Sequence, residues 1–166
     1  MTDPIEKIPA EARWQIATKG LTGAAMAVAN ALRQAVGEEK YNEVMRALWY
    51  QAGKGVKEFI EAFGLPVRDA RQIEEAAQLA SLASMGPEFK YEVVEASQDR
   101  CVARVSKCPW YERHKEQGMG FDLCTFGHGS WGEGFVESAN PDFIYSVSKS
   151  MARGDSYCEV IIERKK

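Results

Sequence analysis

The sequence has little that would suit it to nucleic acid or to a membrane interior. Its 166 residues carry 21 lysine and arginine side chains against 24 aspartate and glutamate side chains, so the formal net charge is −3. A protein that binds DNA or RNA needs a basic surface, and this charge balance predicts no nucleic-acid partner. No apolar run approaches the roughly 18 to 20 residues that span a bilayer, which predicts no membrane partner.

Signals for secretion and for a disulfide framework are missing as well. The N-terminus, which contains Asp3 and Glu6, has neither the basic start nor the apolar core of a signal peptide, so we expect a cytoplasmic protein. Thiols are normally reduced in that compartment, and the four cysteines are therefore expected to be free, metal-bound or catalytic. The glycine-rich segment 127–134 lacks the lysine and the context of a phosphate-binding loop.

Hydrophobic periodicity predicts three amphipathic helices in residues 1–86, which we interpret as a helical scaffold. Gly37 is expected to end the first helix and Gly64 the second, while Asp69 caps the start of the third and Gly86 ends it. The apolar residues of the first helix recur at three- and four-residue steps: Leu21, Ala25, Val28, Leu32 and Val36.

The period of the pattern changes from about 3.6 to 2 at Pro87, which indicates strands. Phe89, Tyr91 and Val93 alternate with polar residues as in a half-buried strand, and a second strand follows at 101–105. Two helices are predicted near 111–117 and 121–138, then two more strands near 143–147 and 158–162. We therefore predict a single α+β domain over residues 1–166, with N-terminal helices packed on a C-terminal four-stranded antiparallel sheet (87–166) and an intervening helix.

The cysteines are the first candidates for chemistry. Cys101 shares the apolar register of its strand and is expected to be core, whereas Cys158 follows the Gly154-Asp155 turn, where the rim of a site can lie. Cys108 ends a strand and Cys124 starts a helix, and a helix N-terminus lowers the pKa of a nearby thiol. Both are candidate nucleophiles or metal ligands, with ordinary core packing as the alternative.

A metal site is a further possibility. Cys124 and His128 are four residues apart and share one helix face, and Cys108 or Cys158 can complete a cysteine–histidine set for zinc or iron. Against this, no two cysteines have C-x-x-C spacing. The sequence requires no cofactor.

Cysteine–histidine catalysis needs a base close to the thiol and a group that orients the base. His128 is the better candidate, with Asp122 or Asp155 to orient it or to activate a water, although His128 between two glycines fits a surface residue equally well. His114 lies among charged residues and is interpreted as part of a solvated helix face. Several aromatic residues either line a pocket for a small organic molecule or belong to the core: Trp110, Tyr111, Phe121, Phe126 and Trp131.

The order of motifs in the C-terminal half resembles the L-2-amino-thiazoline-4-carboxylate hydrolase family. The resemblance depends on Cys108-Pro109, a helical Cys124, Asn140-Pro141 and the Gly154-Asp155 turn before Cys158. It implies hydrolytic opening of a small ring at a carbon bonded to nitrogen and sulfur. It also implies where the site lies: Cys108, Cys124, Asn140, Asp155 and Cys158.

The strand, glycine turn and cysteine at the end of the chain also resemble vinyl-reductase-type ligand-sensing domains and related transport-particle subunits. That likeness implies the same α+β architecture with a pocket for a small molecule, lipid or metal. It supports an alternative function, a non-catalytic small-molecule or metal sensor that dimerises through its N-terminal helices. A plain interaction module with four core cysteines is the third hypothesis.

Overall fold

We analysed a computed structural model of the chain, which describes residues 3–118 and 122–166, and all their side chains except those of residues 122–126. The N-terminal half contains three helices, α1 (Ala10–Val36), α2 (Glu38–Phe63) and α3 (Ala70–Met85). A hairpin follows, β1 (Lys90–Ala96) and β2 (Arg100–Lys107), then α4 (Pro109–Glu116) and α5 (Asp122–Ala139). The described chain ends with β3 (Phe143–Lys149), a 3-10 turn at Met151–Arg153 and β4 (Cys158–Arg164).

The four strands form one antiparallel sheet in the order β1-β2-β4-β3. Alternate residues of the central strands β2 and β4 point toward the helices, and the core lies between this face of the sheet, α3 and α5. The predicted α+β architecture is therefore confirmed. Among the described helices, none combines the length and the apolar character that crossing a bilayer requires.

The predicted helix boundaries hold where a capping residue defines them. The carboxylate of Asp69 accepts a hydrogen bond from the Gln72 N–H at 2.9 Å, which starts α3. Gly64 ends α2 in the left-handed region with φ of 61°, a conformation that costs glycine little.

The predicted apolar face of the first helix is wrong. Leu21 and Val28 are 60% and 69% exposed, and α1 instead buries Thr18, Thr22, Met26 and Ala29. The Thr18 and Thr22 hydroxyls each donate to the carbonyl four residues earlier at 2.9 Å. Because this bond satisfies the hydroxyl within the helix, a threonine can replace an apolar residue on the buried face.

The first strand is also not half-buried as predicted. Every residue of β1 is exposed, and Phe89, which precedes the strand, is the buried anchor. β1 is an edge strand that pairs only with β2, and its register shifts twice, between Lys90 and Tyr91 and between Val93 and Glu95. Such bulges increase the twist of an edge strand, and the strand has no helix packed over it to bury its alternate residues.

Two glycines allow α2 and α5 to pack with their main chains in contact. A Cβ atom at Gly53 would overlap the carbonyl of Trp131, and one at Gly134 would overlap the carbonyl of Tyr50. Gly134 of the glycine-rich segment 127–134 therefore has a packing function. Because α5 packs against α2 in this way, the side chains on its remaining faces are held in fixed positions toward the interior of the domain.

Candidate functional site

A cavity of about 660 Å³ lies between the helices and the sheet. Side chains from α2, α3, α4 and α5 line it together with residues of β2, β3, β4 and the turn after β3. Most of these side chains are apolar, and the polar ones come from a few positions. A concave, largely apolar enclosure with a few convergent polar groups is the usual form of a small-molecule site.

One wall of the cavity carries two thiols. Cys108 is the N-cap residue of α4 and Cys158 is the first residue of β4, and both line the cavity. Burial raises the pKa of Cys108 to about 11, and the backbone N–H groups of Tyr111 and Trp110 offset only part of that rise. Burial also raises the pKa of Cys158, whose sulfur accepts the Met151 N–H at 3.4 Å. Both thiols are therefore protonated at neutral pH.

The wall formed by α3 carries a carboxyl group that the sequence analysis missed. Glu74 of α3 is 2% exposed, and its carboxylate accepts a hydrogen bond from the side-chain amide of Gln78, one turn further on. Burial raises the pKa of Glu74 to about 7, against a smaller lowering by the Gln78 bond. The sequence signal was present, because Glu74 and Gln78 interrupt the buried stripe of Ala70, Ile73, Ala77 and Ser81.

A hydrogen-bonded histidine–tyrosine pair also belongs to the cavity lining. The Tyr145 hydroxyl and His128 Nε2 share a hydrogen bond of 2.7 Å, and both residues line the cavity. Burial lowers the pKa of His128 to about 4, so the ring is neutral at pH 7. Gly132 makes the pair possible, since a Cβ atom at that position would overlap the Tyr145 ring.

The interpretation of His114 as a solvated residue is wrong. Its side chain is 1% exposed and lines the cavity, and its Nδ1 lies 2.7 Å from the Trp110 carbonyl oxygen. Burial lowers its pKa. The charged neighbours misled the prediction because charge alone does not show which face of α4 is buried: Arg113 is buried like His114, whereas Lys115 and Glu116 are exposed.

Asn140 and Asp155 shape turns beside the cavity rather than lining it. The Asn140 amide donates to the Val67 carbonyl at 2.9 Å, and its oxygen accepts the Asp142 N–H at 3.1 Å. Asp155 accepts the Ser150 N–H at 2.7 Å and thereby fixes the turn before Cys158. Direct roles for these two residues in a reaction stay predictions.

The remaining candidates divide between described and undescribed positions. Cys101 belongs to the core, as predicted. The side chains of Asp122 and Cys124 lie outside those described, as do Phe121 and the side chain of Phe126. Of the aromatic residues with two alternatives, Trp110, Tyr111 and Trp131 line the cavity, and so does Trp49, whose ring meets that of Trp110 edge to face at 5.2 Å.

Within the described residues, no three histidine, cysteine, aspartate or glutamate side chains lie together as a metal site would need. Cys108, His128 and Cys158 therefore do not form such a site by themselves. The full predicted set includes Cys124, and it stays a prediction.

Comparisons with known proteins agree with this architecture. Two solved structures share the fold. One is a trafficking protein particle complex subunit 3 from Naegleria fowleri covalently bound to palmitic acid, with a TM-score of 0.63 and 16% identity over 91% of this chain and 96% of that one. The other is the phenol-responsive sensory domain of the transcription activator PoxR with phenol. Its TM-score is 0.60, and the identity is 11% over 86% of this chain and 74% of that one.

At these identities the likeness concerns the fold alone. No curated protein matches the sequence. The family assignment depends on a sequence model that matches residues 18–162, most of the chain and all the elements that surround the cavity. The chain belongs to the L-2-amino-thiazoline-4-carboxylic acid hydrolase family.

Proposed function

We propose that this protein binds a small organic molecule in the central cavity and hydrolyses a C–N bond of a small ring there. The observation that carries the proposal is the convergence of Glu74, His128, Tyr145 and two thiols on one largely apolar cavity. Water is scarce in such an enclosure, and electrostatic interactions are correspondingly strong. The family to which the chain belongs carries the name of a reaction of this kind.

Glu74 is our candidate for proton transfer. With a pKa of about 7, its acid and base forms are both well populated at neutral pH, which suits a general acid–base group. In the proposed step Glu74 takes a proton from water, whose oxygen bonds to the ring carbon between nitrogen and sulfur, and returns that proton to the ring nitrogen as the C=N double bond becomes a single bond. The new hydroxyl group then loses its own proton through Glu74 to the same nitrogen, so that the C–N bond breaks and leaves an amine and a carbonyl group.

The cysteine-centred mechanism is the variant within this function. Cys108 or Cys124 would add to the ring carbon while His128 or Asp122 carries the thiol proton to the ring nitrogen. The ring C–N bond would break as a proton of the exocyclic amino group moves to that nitrogen, and water would then add to the carbon and release the cysteine as a thiol. The raised pKa of Cys108 means that its proton must leave as the sulfur attacks. For this reason we prefer water as the nucleophile and retain the thiol as the alternative.

The test combines binding and turnover. Three tryptophans, Trp49, Trp110 and Trp131, line the cavity, so the entry of a ligand should change tryptophan fluorescence. We expect 2-amino-2-thiazoline to change the fluorescence and to yield a product that has gained one water, detected by mass spectrometry. At saturating ligand, Glu74→Gln should reduce turnover by about 100-fold, a common size for loss of a general acid–base group.

Controls separate the variants of the mechanism. Glu75 is exposed on the same helix, and Glu75→Gln should turn over normally. If Glu74→Gln is fully active while Cys108→Ser or Cys124→Ser is inactive, the cysteine-centred mechanism is correct, and the substituted thiol is the nucleophile. Binding without any product in the unmodified protein would overturn the hydrolase proposal.

The second candidate function is a non-catalytic small-molecule sensor. It is favoured by the protonated thiols and by the apolar lining, and the structural neighbour PoxR domain is described as phenol-responsive. A sensor would retain its ligand unchanged after gel filtration, whereas the hydrolase would release a ring-opened product.

The predicted homodimer and cytoplasmic location are proposals that accompany either function. The exposed Leu21 and Val28 lie on one face of α1 and are available for a helix-to-helix dimer contact. Sedimentation equilibrium of the unmodified chain and of Leu21→Glu checks this proposal, since a dimer through this face should dissociate in the variant.

A further inference from the structure

The cavity is larger than the ring compound that names the family would need. Its volume is about 660 Å³, within the roughly 300 to 1,000 Å³ of pockets that hold molecules of drug size. At about 30 Å³ for each atom, the share that one water takes in the liquid, the roughly nine non-hydrogen atoms of 2-amino-thiazoline-4-carboxylate fill about 270 Å³. More than half of the cavity would then lack ligand contacts, and apolar side chains that face a void lose dispersion energy.

The cavity reaches the surface between α2 and α3. Of the described residues that line it, the exposed ones all belong to these two helices: Ala52, Gly55, Ala83 and Ser84. All of them are small, so they leave a gap between the helices. An apolar part of a ligand that extends toward this gap would exchange contacts with water for contacts with the apolar lining, which is favourable.

The lining contains a hydrogen-bond donor on α2 that lacks a partner. Trp49 lines the cavity, and its indole Nε1 is buried with no acceptor among the described residues. Gly127 lets α5 approach this edge of the ring, since a Cβ atom there would lie 3.0 Å from Nε1. An indole N–H only donates, and a buried donor usually has an acceptor. A carbonyl or carboxylate oxygen of a ligand would supply one.

The lining also contains a hydrogen-bond acceptor on α3 that lacks a partner. The Gln78 side chain is 5% exposed and lines the cavity. Its amide nitrogen donates to the Glu74 carboxylate, while its amide oxygen is buried and accepts from no described residue. Leaving a buried acceptor unsatisfied is unfavourable, and an N–H or O–H group of a ligand would satisfy it.

We infer that the cavity takes a ligand of roughly 20 non-hydrogen atoms, in which an apolar body carries an acceptor for Trp49 and a donor for Gln78. This inference rests on the proposed function, because it describes the compound that the same site binds. The ring that is opened would be one part of this molecule, and the apolar remainder would extend toward the gap between α2 and α3. Trp49 and Gln78 are then specificity-determining residues, since each selects one kind of polar group.

Four uncharged probes test the inference by isothermal titration calorimetry at pH 7. Butyl 4-aminobenzoate has an amino donor, an ester acceptor and an apolar body. Methyl 4-aminobenzoate shortens the chain, butyl benzoate lacks the donor, and 4-pentylaniline lacks the ester oxygens. We expect butyl 4-aminobenzoate to bind at least about tenfold more tightly than the methyl ester, because it buries three more CH₂ groups.

Two variants assign the polar contacts to their residues. Trp49→Phe should weaken the three esters by roughly fivefold, the size of one ordinary hydrogen bond, and should leave 4-pentylaniline nearly unchanged. Gln78→Met should weaken the probes with an amino group by a similar factor and leave butyl benzoate nearly unchanged. Lost packing would weaken all the probes alike, so the difference between probes reports the hydrogen bond. Glu75→Gln, on the exposed face of α3, should leave every affinity unchanged.

A further pair of variants tests where the apolar body lies. Ala52→Phe narrows the gap between α2 and α3 and should remove most of the advantage of the butyl ester over the methyl ester. Gln51→Phe is the matched control, because Gln51 is exposed and is not among the residues that line the cavity. Circular dichroism verifies that each variant is folded.

The outcomes distinguish this inference from the proposed function, because none of the probes contains the ring that would be opened. Equal affinities of the butyl and methyl esters overturn the inference, and so does a loss in Trp49→Phe or Gln78→Met that is the same for every probe. If 2-amino-2-thiazoline is hydrolysed while none of the probes binds, the inference fails and the proposed function stands. If the probes bind as expected and 2-amino-2-thiazoline is not hydrolysed, the inference stands and hydrolysis fails.

Discussion

The two walls of the cavity differ in how burial affects their ionisable groups. On the α3 wall, burial raises the pKa of Glu74 to about 7, so the protonation state of this carboxyl group changes around neutral pH. On the thiol wall, burial raises the pKa of Cys108 to about 11, so that group stays protonated. Loss of hydration raises both pKa values. As a result the carboxyl group gains and loses its proton near neutral pH, whereas the thiol keeps its proton and is unreactive.

The largest expected effect comes from disrupting the His128–Tyr145 pair in the cavity lining. Gly132→Ala places a methyl group against the Tyr145 ring, and overpacking of this kind in a core should destabilise the protein by about 3 kcal/mol. Urea unfolding followed by circular dichroism measures the change.

Gly129→Ala is the matched control. It lies on the same helix, and an added Cβ would meet no atom of the described residues within 4 Å. That variant should gain about 0.5 to 1 kcal/mol, because alanine favours a helix over glycine. Equal stabilities of the two variants would contradict the packing that we describe for Tyr145.

The second prediction concerns the thiol wall. A rise of the Cys108 pKa from 9.0 to about 11 reduces its thiolate fraction, and therefore its alkylation rate at pH 8, by about 100-fold relative to an unperturbed thiol. Iodoacetamide labelling followed by peptide mass mapping reports each cysteine separately.

The same labelling experiment supplies the reference rates with which the Cys108 rate is compared. In urea the four cysteines should react at similar rates, which supplies the unperturbed value. Cys124 lies in the first turn of α5, and its predicted low pKa would make it the fastest thiol of the native protein. Rapid native labelling of Cys108 at pH 8 would remove the distinction between the two walls.

The architecture could be predicted because its signals are local. Asp69 and Gly86 define α3 through capping, and period-two alternation identifies β2, β3 and β4. The edge position of β1 could not be predicted, because it depends on which strand lies in the centre of the sheet. Alternation alone does not contain that information.

The candidate site was only half predicted, for a similar reason. Cys108, Cys158 and His128 line the cavity. All three lie in the C-terminal half, where the sequence analysis placed the candidate catalytic and metal-binding residues. Glu74 was missed because an acidic residue in a helix is usually solvated, although its spacing from Ala70, Ile73 and Ala77 puts it on the buried face of α3. His114 was misassigned in the same way.

The third prediction tests the α3 wall through the pH dependence of stability. The pKa of Glu74 rises from 4.5 to about 7 on folding, so the folded state holds the proton more tightly than the unfolded state. The stabilisation is complete below about pH 4.5 and is lost as the pH rises toward and through 7. Between pH 5 and 8 the free energy of unfolding should fall by roughly 2 kcal/mol from this group, at 1.36 kcal/mol for each pKa unit.

Glu74→Gln should remove that part of the pH dependence, and Glu75→Gln should keep it. The measurement is urea unfolding of the three proteins at pH 5 and pH 8. If Glu74→Gln and the unmodified protein lose the same stability over this range, Glu74 is not a neutral group held in a dry environment, and its proposed role in proton transfer fails with it.

The smallest expected effect concerns the hydrogen bond between the Tyr145 hydroxyl and His128 Nε2. Tyr145→Phe removes the hydroxyl that pairs with His128 Nε2, and the loss of one buried hydrogen bond should cost about 1 kcal/mol. Tyr157→Phe is the matched control, because its hydroxyl accepts a bond from Lys149 Nζ at 2.7 Å and both side chains are half-buried rather than buried, so that water can replace the partner more readily. Unfolding in urea should therefore show a loss for Tyr145→Phe and almost none for Tyr157→Phe. Equal losses would mean that the His128–Tyr145 pair is as well hydrated as the surface, and the cavity between the two walls would then be wet rather than apolar.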